Sequence, residues 1–229
     1  LKIHECKIFS QSGEDGLIME ILSNIGVKSF TFIEIGVQDS IECNSTNLLL
    51  NLNWTGAQFE GCKESYEDGK KFLKDNCVKK HRCQLLNEFI DAENVNLLIK
   101  KTGIVGEIDF FSLDIDGNDV FDLGALAPLS KITWIHASRN NISDISSISP
   151  LKNLTSLDIS HNRVSNIDSL SKLTKLQWIG LAFNQVRDIS PLNSLAKLRY
   201  IDIEGDSFNH QSTRTHIPNL EARGIEVIR

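Results

Sequence analysis

The residues of this 229-residue chain whose types and spacing could do chemistry are acids at the ends of short apolar runs. Phe30 to Ile35 is apolar apart from Thr31 and Glu34, and leads into Gly36-Val37-Gln38-Asp39. Gly56 to Glu60 closes on a second carboxylate, and a run centred on Leu113 closes on Asp114-Ile115-Asp116. If these runs are parallel strands, a ligand would bind outside their carboxyl ends, beside the first strand. Gly36 would let backbone approach such a ligand closely. Glu60 could accept both hydroxyls of a ribose. Glu34 falls inside a strand, where a buried acid is costly unless hydrogen-bonded or protonated.

A second group, Cys77, His81 and Cys83, has the residue types of a zinc site. Zinc needs four ligands converging at about 2.0–2.3 Å, and no fourth is apparent, so no metal is expected. The five cysteines are odd in number, all lie in the first half, and include no C-x-x-C pair. They read as reduced thiols of a cytoplasmic protein. The formal charge is -6, with 12 Lys/Arg against 17 Asp/Glu in residues 1–109 and 12 against 13 in 110–229. No basic run marks a nucleic-acid partner. No run of 18 apolar residues and no signal peptide marks a membrane.

These groups must be positioned by alternating helices and strands. Ser12-Gly13-Glu14-Asp15 resembles a capping box, Leu17, Ile18, Ile21, Leu22 and Ile25 form one helical face, and Gly26 stops it. Strands are expected at 30–35, 56–60 and 82–86, separated by helices near 44–52, 64–74 and 91–101. Such αβ alternation predicts a parallel sheet with right-handed crossovers.

From residue 110 the pattern changes to a repeat of 22 residues, in rows beginning at Phe110, Ile132, Leu154, Leu176 and Leu198. Positions one, four and six of each row are apolar, as in Leu154, Leu157 and Ile159, with the alternation of a strand facing a core. Position nine is Asn118, Asn140, Asn162 and Asn184, where an amide can bond the backbone of neighbouring coils. Ile142, Ile145, Ile148 and Leu151 then recur every third residue, which suits a 3₁₀ or extended return. Residues 217–228 read as a short helix, a glycine stop and a closing strand, capping the array. The rows resemble the 22-residue leucine-rich repeats of internalin-type proteins.

Ser112-Leu113-Asp114-Ile115-Asp116-Gly117-Asn118 satisfies both patterns. One strand near 110–116 is therefore expected to serve both halves, 1–109 and 110–229, in a single continuous sheet. Naming one residue per strand, its order is 85, 58, 33, 113, 135, 157, 179, 201, 227. The outward positions of the repeat strands and turns carry Trp134, His136, Arg139, Asp158, His161, Trp178, Phe183, Tyr200, Asp202 and Glu204. Aromatic side chains on a concave sheet are typical anchors for a protein or peptide partner. Alternatively, Trp134 and Trp178 simply stack on each other along their column.

A resemblance attaches to the first half. Ser10-Gln11-Ser12-Gly13-Glu14-Asp15-Gly16, Phe32-Ile33-Glu34-Ile35-Gly36-Val37, Glu42-Cys43-Asn44, Asn53-Trp54-Thr55-Gly56, Phe59-Glu60-Gly61 and Glu107 to Asp119 are similar to FkbM-like S-adenosylmethionine-dependent methyltransferases. The resemblance spans roughly residues 8–122. It implies an α/β, Rossmann-like half whose S-adenosylmethionine site would draw on Gln11, Glu14, Glu34, Gly36, Asp39, Glu60, Asp114 and Asp116. Ser40 departs from the pattern, which usually has a second glycine there, and the strands that would hold a methyl acceptor are absent. A general base would have to come from Asp114, Asp116, His136 or His161. An open repeat face aligns and dries a reaction poorly, and Asp158 recurs at the column of Asp114 without any cofactor. Binding is therefore expected over catalysis, the alternative being an active methyltransferase whose repeat face holds the acceptor. A fusion that retains no working cofactor pocket is the third reading.

Overall fold

The computed structural model describes residues 7–9, 14–90, 94–104, 106–113, 123–127 and 129–229. The chain divides into two compact units, Leu1–Asp114 and Ile115–Arg229. Among the described residues, no helix is long and apolar enough to cross a membrane.

The first unit runs α1 (Glu14–Ile25), β1 (Thr31–Ile35), α2 (Asn44–Leu50), β2 (Thr55–Glu60), α3 (Lys63–Asp75), β3 (Cys83–Asn87), α4 (Val95–Lys101) and β4 (Phe110–Leu113). All its strand pairs are parallel, in the order β3-β2-β1-β4. The register sets Glu34 between Gln58 on β2 and Ser112 on β4. Phe32, Ile33, Phe59, Phe110 and Phe111 are fully buried. That explains why these strands read as near-continuous apolar runs rather than alternating ones.

One contact that the sequence reading did not single out fastens this sheet. Asp109, buried just before β4, accepts the backbone N–H groups of Lys28, Ser29 and Phe30 on one carboxylate oxygen at 3.1, 2.6 and 2.8 Å. The Ser29 hydroxyl donates to the same oxygen at 2.9 Å. Such charge-assisted bonds are stronger than neutral ones, and here they fix the turn that starts β1.

The second unit contains β5 (Trp134–His136), β6 (Ser156–Asp158), β7 (Trp178–Gly180), β8 (Tyr200–Asp202) and β9 (Glu226–Ile228), paired in parallel in chain order. Short 3₁₀ turns at Ser146–Ile148, Asp168–Lys172 and Ser190–Ser194 carry each return, as the three-residue step predicts. Ile135, Leu157, Ile179 and Ile201 stack inward with no exposure, and Ile142, Ile145, Ile148 and Leu151 close the opposite wall. Each such side chain contributes roughly 1.5–3 kcal/mol by leaving water.

Two of the position-nine amides, Asn162 and Asn184, bond neighbouring coils as expected. Asn162 donates to the carbonyls of Ala137 and Ile159 and accepts Ile142 N–H, and Asn184 repeats this with Ile159, Leu181 and Val164. The cap contains α5 (Ile217–Ala222) and β9, preceded by an unanticipated π-helical turn, Ser212–His216. Buried Ser212 accepts Ile189 N–H at 3.1 Å and ties that turn to the last full coil. The expected sharing of one strand between the two patterns turns on residues 114–122, which lie outside the described residues, as does Asn118.

Candidate functional site

At the carboxyl edge of β1, Gly36 turns the chain at φ +80° and donates its N–H to Phe59 O at 2.9 Å. Gln38 and Ser40 follow at φ +49° and +60°. Glu60 holds this turn from β2. One carboxylate oxygen accepts Gln38 N–H at 2.7 Å and the other accepts Cys62 N–H at 2.7 Å. Glu60 thus already serves two backbone donors, and each oxygen keeps one further lone pair. Asp39, partly exposed beside it, accepts Ile41 N–H at 3.0 Å. Gln11, Asp114, Asp116 and the side chain of Glu14 lie outside the described residues.

Glu34 has partners within the chain that the sequence did not reveal. Its two oxygens accept Asn44 N–H at 3.0 Å and Ser45 N–H at 2.8 Å, the first donors of α2. Those N–H groups have no partner within the helix, and its positive end favours the carboxylate. The flanking polar residues complete the arrangement. Asn44 donates to Ser112 Oγ at 3.1 Å, and Gln58 to Ser45 Oγ at 3.0 Å. The buried acid is therefore a satisfied helix cap, needing no cofactor to justify it.

Two thiols border this row. Burial, and secondarily the negative charge of Glu34, push Cys43 well above the usual thiol range and Cys83 up to about 12. Cys43, Cys62, Cys77 and Cys83 are all free, and among the described residues no three His, Cys, Asp or Glu side chains converge as metal ligands.

On the repeat unit, the aromatic column expected to stand open is closed. Trp134, Trp178 and Tyr200 are only 1%, 7% and 9% exposed. The two tryptophans do not stack, because the register puts Ser156 between them; Trp178 instead lies parallel to Tyr200, ring centres 5.4 Å apart. Gly180 leaves a gap that Trp178 and Asp158 fill, since a Cβ there would meet Asp158 Oδ1 at 2.6 Å and Trp178 Cη2 at 2.9 Å. Asp202, partly exposed, has its carboxyl pushed above its ordinary value chiefly by burial, against the lowering effect of Glu204 N–H.

His136 and Asp158 are buried neighbours, Nε2 to Oδ2 3.7 Å, and Ser138 Oγ stands 3.2 Å from the same Nε2. A relay of the Ser-His-Asp kind needs the two partners on opposite ring nitrogens. Here both meet one nitrogen, so the geometry does not form such a relay.

What stays open is the turn after each strand. Arg139, His161 and Phe183, each 22 residues from the next, are exposed and hold φ +59°, +56° and +56°, and Gly205 completes the column at +80°. Their N–H groups donate to Ser160, Ala182 and Glu204 carbonyls at 2.9, 2.7 and 2.7 Å, so the turns are stitched coil to coil. His161 stacks on Phe183, ring centres 4.5 Å apart, and a Cβ on Gly205 would lie 2.5 Å from the Phe183 ring. A glycine in the fourth place of this column was the sequence signal for that turn.

Residues 130–172 match the family model for leucine-rich repeats in two copies. The chain carries leucine-rich repeats. Among solved structures, internalin C2 from Listeria monocytogenes is 30% identical, with 50% of each chain covered and a TM-score of 0.43. The internalin inlF from the same organism is 18% identical over 80% of this chain and 63% of that one, with a TM-score of 0.53. The chain thus spans half of the first and 63% of the second, and the likeness to inlF is one of fold alone. No curated protein matches.

Proposed function

We propose that the chain is a binding scaffold that takes up a protein or peptide on its repeat unit. The observation that carries this is the open column Arg139–His161–Phe183, which the stitched turns present on a rigid frame. Protein contacts concentrate on aromatic and arginine side chains, and rigid presentation lowers the ordering cost of binding. Panning the full chain against a phage-displayed random-peptide library tests this. Specific binders weakened by Phe183→Ala are expected; a library yielding none would remove the reading.

A second reading concerns the first unit. Its strand order reverses beside β1, the place where open α/β sheets bind ligands, and the Gly36 turn and Glu60 meet there. Together with the methyltransferase resemblance, this supports an S-adenosylmethionine-binding half, acting as a sensor unless turnover is demonstrated. Glu60, Asp39 and the Gly36 turn are the described groups that would meet the nucleoside. Calorimetry with S-adenosylmethionine and S-adenosylhomocysteine, with Glu60→Ala as control and its melting curve as a check on folding, decides it. No heat with the intact chain would leave the scaffold alone. The free thiols support a reducing compartment such as the cytoplasm for both activities.

A further inference from the structure

We infer that the turn edge of the repeat unit docks an acidic segment of a partner protein, one that also offers a large apolar side chain. This rests on the scaffold reading and adds the chemistry of the partner. The turns leaving β5, β6 and β7 occupy residues 138–143, 160–165 and 182–187. They hold Arg139, His161, Arg163 and Arg187, in a chain whose net charge is -6, and the acids that follow the first and third turns, Asp144 and Asp188, are engaged in accepting the N–H groups of Ser146 and Ser190. All four side chains are exposed. Among the described residues, none of the three guanidinium groups forms an ion pair.

The coils bring these charges together. Arg163 N–H donates to Ile142 O and Gln185 N–H to Val164 O, each at 2.8–2.9 Å, so the turns stack in register like the strands. Adjacent parallel strands lie about 4.8 Å apart, which places three turns within roughly 10 Å along the array. An extended peptide of about three residues spans that distance, so one short acidic segment can reach all three turns. Phe183, 45% exposed and backed by His161, stands on the same edge. An acidic segment would neutralise the arginines while its apolar side chain covers the ring. A second observation points the same way. Arg139, His161 and Phe183 keep side chains at backbone angles that favour glycine, and residues held in such conformations cluster at binding sites.

The test is to select displayed random peptides on the full chain, then measure binding by fluorescence anisotropy. Peptides rich in Asp and Glu around Trp, Phe or Leu are expected. Arg163→Glu/Arg187→Glu should weaken them by about tenfold or more, mainly through slower association and with loss of salt dependence, and Phe183→Ala by about tenfold. The altered side chains are exposed, and Arg163→Gln/Arg187→Gln provides a milder pair if the reversed charges disturb folding. Binders without acidic enrichment, or acidic binders indifferent to both pairs, would overturn the inference and leave the scaffold reading standing. Failure to select any binder would remove both. A labelled DNA duplex that outcompetes the peptides and is lost with the same arginines would overturn the assignment to a protein partner.

Discussion

Asp206 accepts the backbone N–H of Val186 at 3.2 Å, twenty residues earlier, in the place where Asn184 serves Val164 and Asn162 serves Ile142. The fifth coil therefore closes the asparagine ladder with an acid. The amides also donate to carbonyls, which a carboxylate cannot do, and Asp206 Oδ2 is buried without a partner. Burial, opposed by the N–H bonds from Val186 and Asn184, raises its carboxyl to about 6.

The sign of the pH effect follows. The folded state favours the protonated acid, so this contribution to stability is fully present below the unfolded pKa of about 3.9 and is lost as pH rises through about 6. Asp206→Asn should melt close to the parent protein at pH 4 and above it at pH 8, by about 1 kcal/mol after allowance for partial exposure. Thermal melts of both proteins across that range check it. A gap independent of pH would contradict the assignment.

Glu34→Gln should destabilise the first unit by about 2–3 kcal/mol, because an amide nitrogen would face one of the two α2 N–H donors and leave it unmet. Urea unfolding followed by circular dichroism measures the loss. A neutral result would mean that the helix cap contributes nothing.

Ser40→Gly should stabilise the same unit by about 0.5–1 kcal/mol. Ser40 sits at φ +60° with a buried Oγ that has no partner, and a left-handed conformation costs a non-glycine residue roughly 1–2 kcal/mol. The entropy glycine adds to the unfolded chain offsets part of the gain. Unfolding curves that show no gain, or a loss, would place the strain elsewhere.

Alkylation should separate the thiols. Iodoacetamide at pH 8 is expected to modify exposed Cys62 and Cys77 in the native protein and to spare Cys43 and Cys83, whose thiolates are suppressed by burial. Peptide mass mapping reads the pattern. Rapid native labelling of Cys83 would show that β3 opens.

The repeat, its strands, its 3₁₀ returns and its asparagine ladder were legible in the residues, because each coil makes the same local choices every 22 positions. The strand order of each unit followed from the same periodicities. What escaped the linear reading depends on partners brought in by register. Glu34 resembled a ligand-seeking acid until α2 supplied its two N–H groups. Asp109 gave no local sign of the three amides it gathers from residues 28–30. Trp134 and Trp178 occupy equivalent places in alternate rows with Ser156 in the row between, and only the packing shows that Trp178 lies against Tyr200 instead.

Spacing by itself determined that the rows from Ile132 coil and which apolar side chains turn inward, since an apolar column recurring every 22 residues is buried when successive rows stack. It left the arginine edge unread, because Arg139, Arg163 and Arg187 stand 24 residues apart in an acidic chain and drift two places along the 22-residue row at each step. Stacking the coils removes that separation, and charge interaction depends on distance through space rather than along the chain.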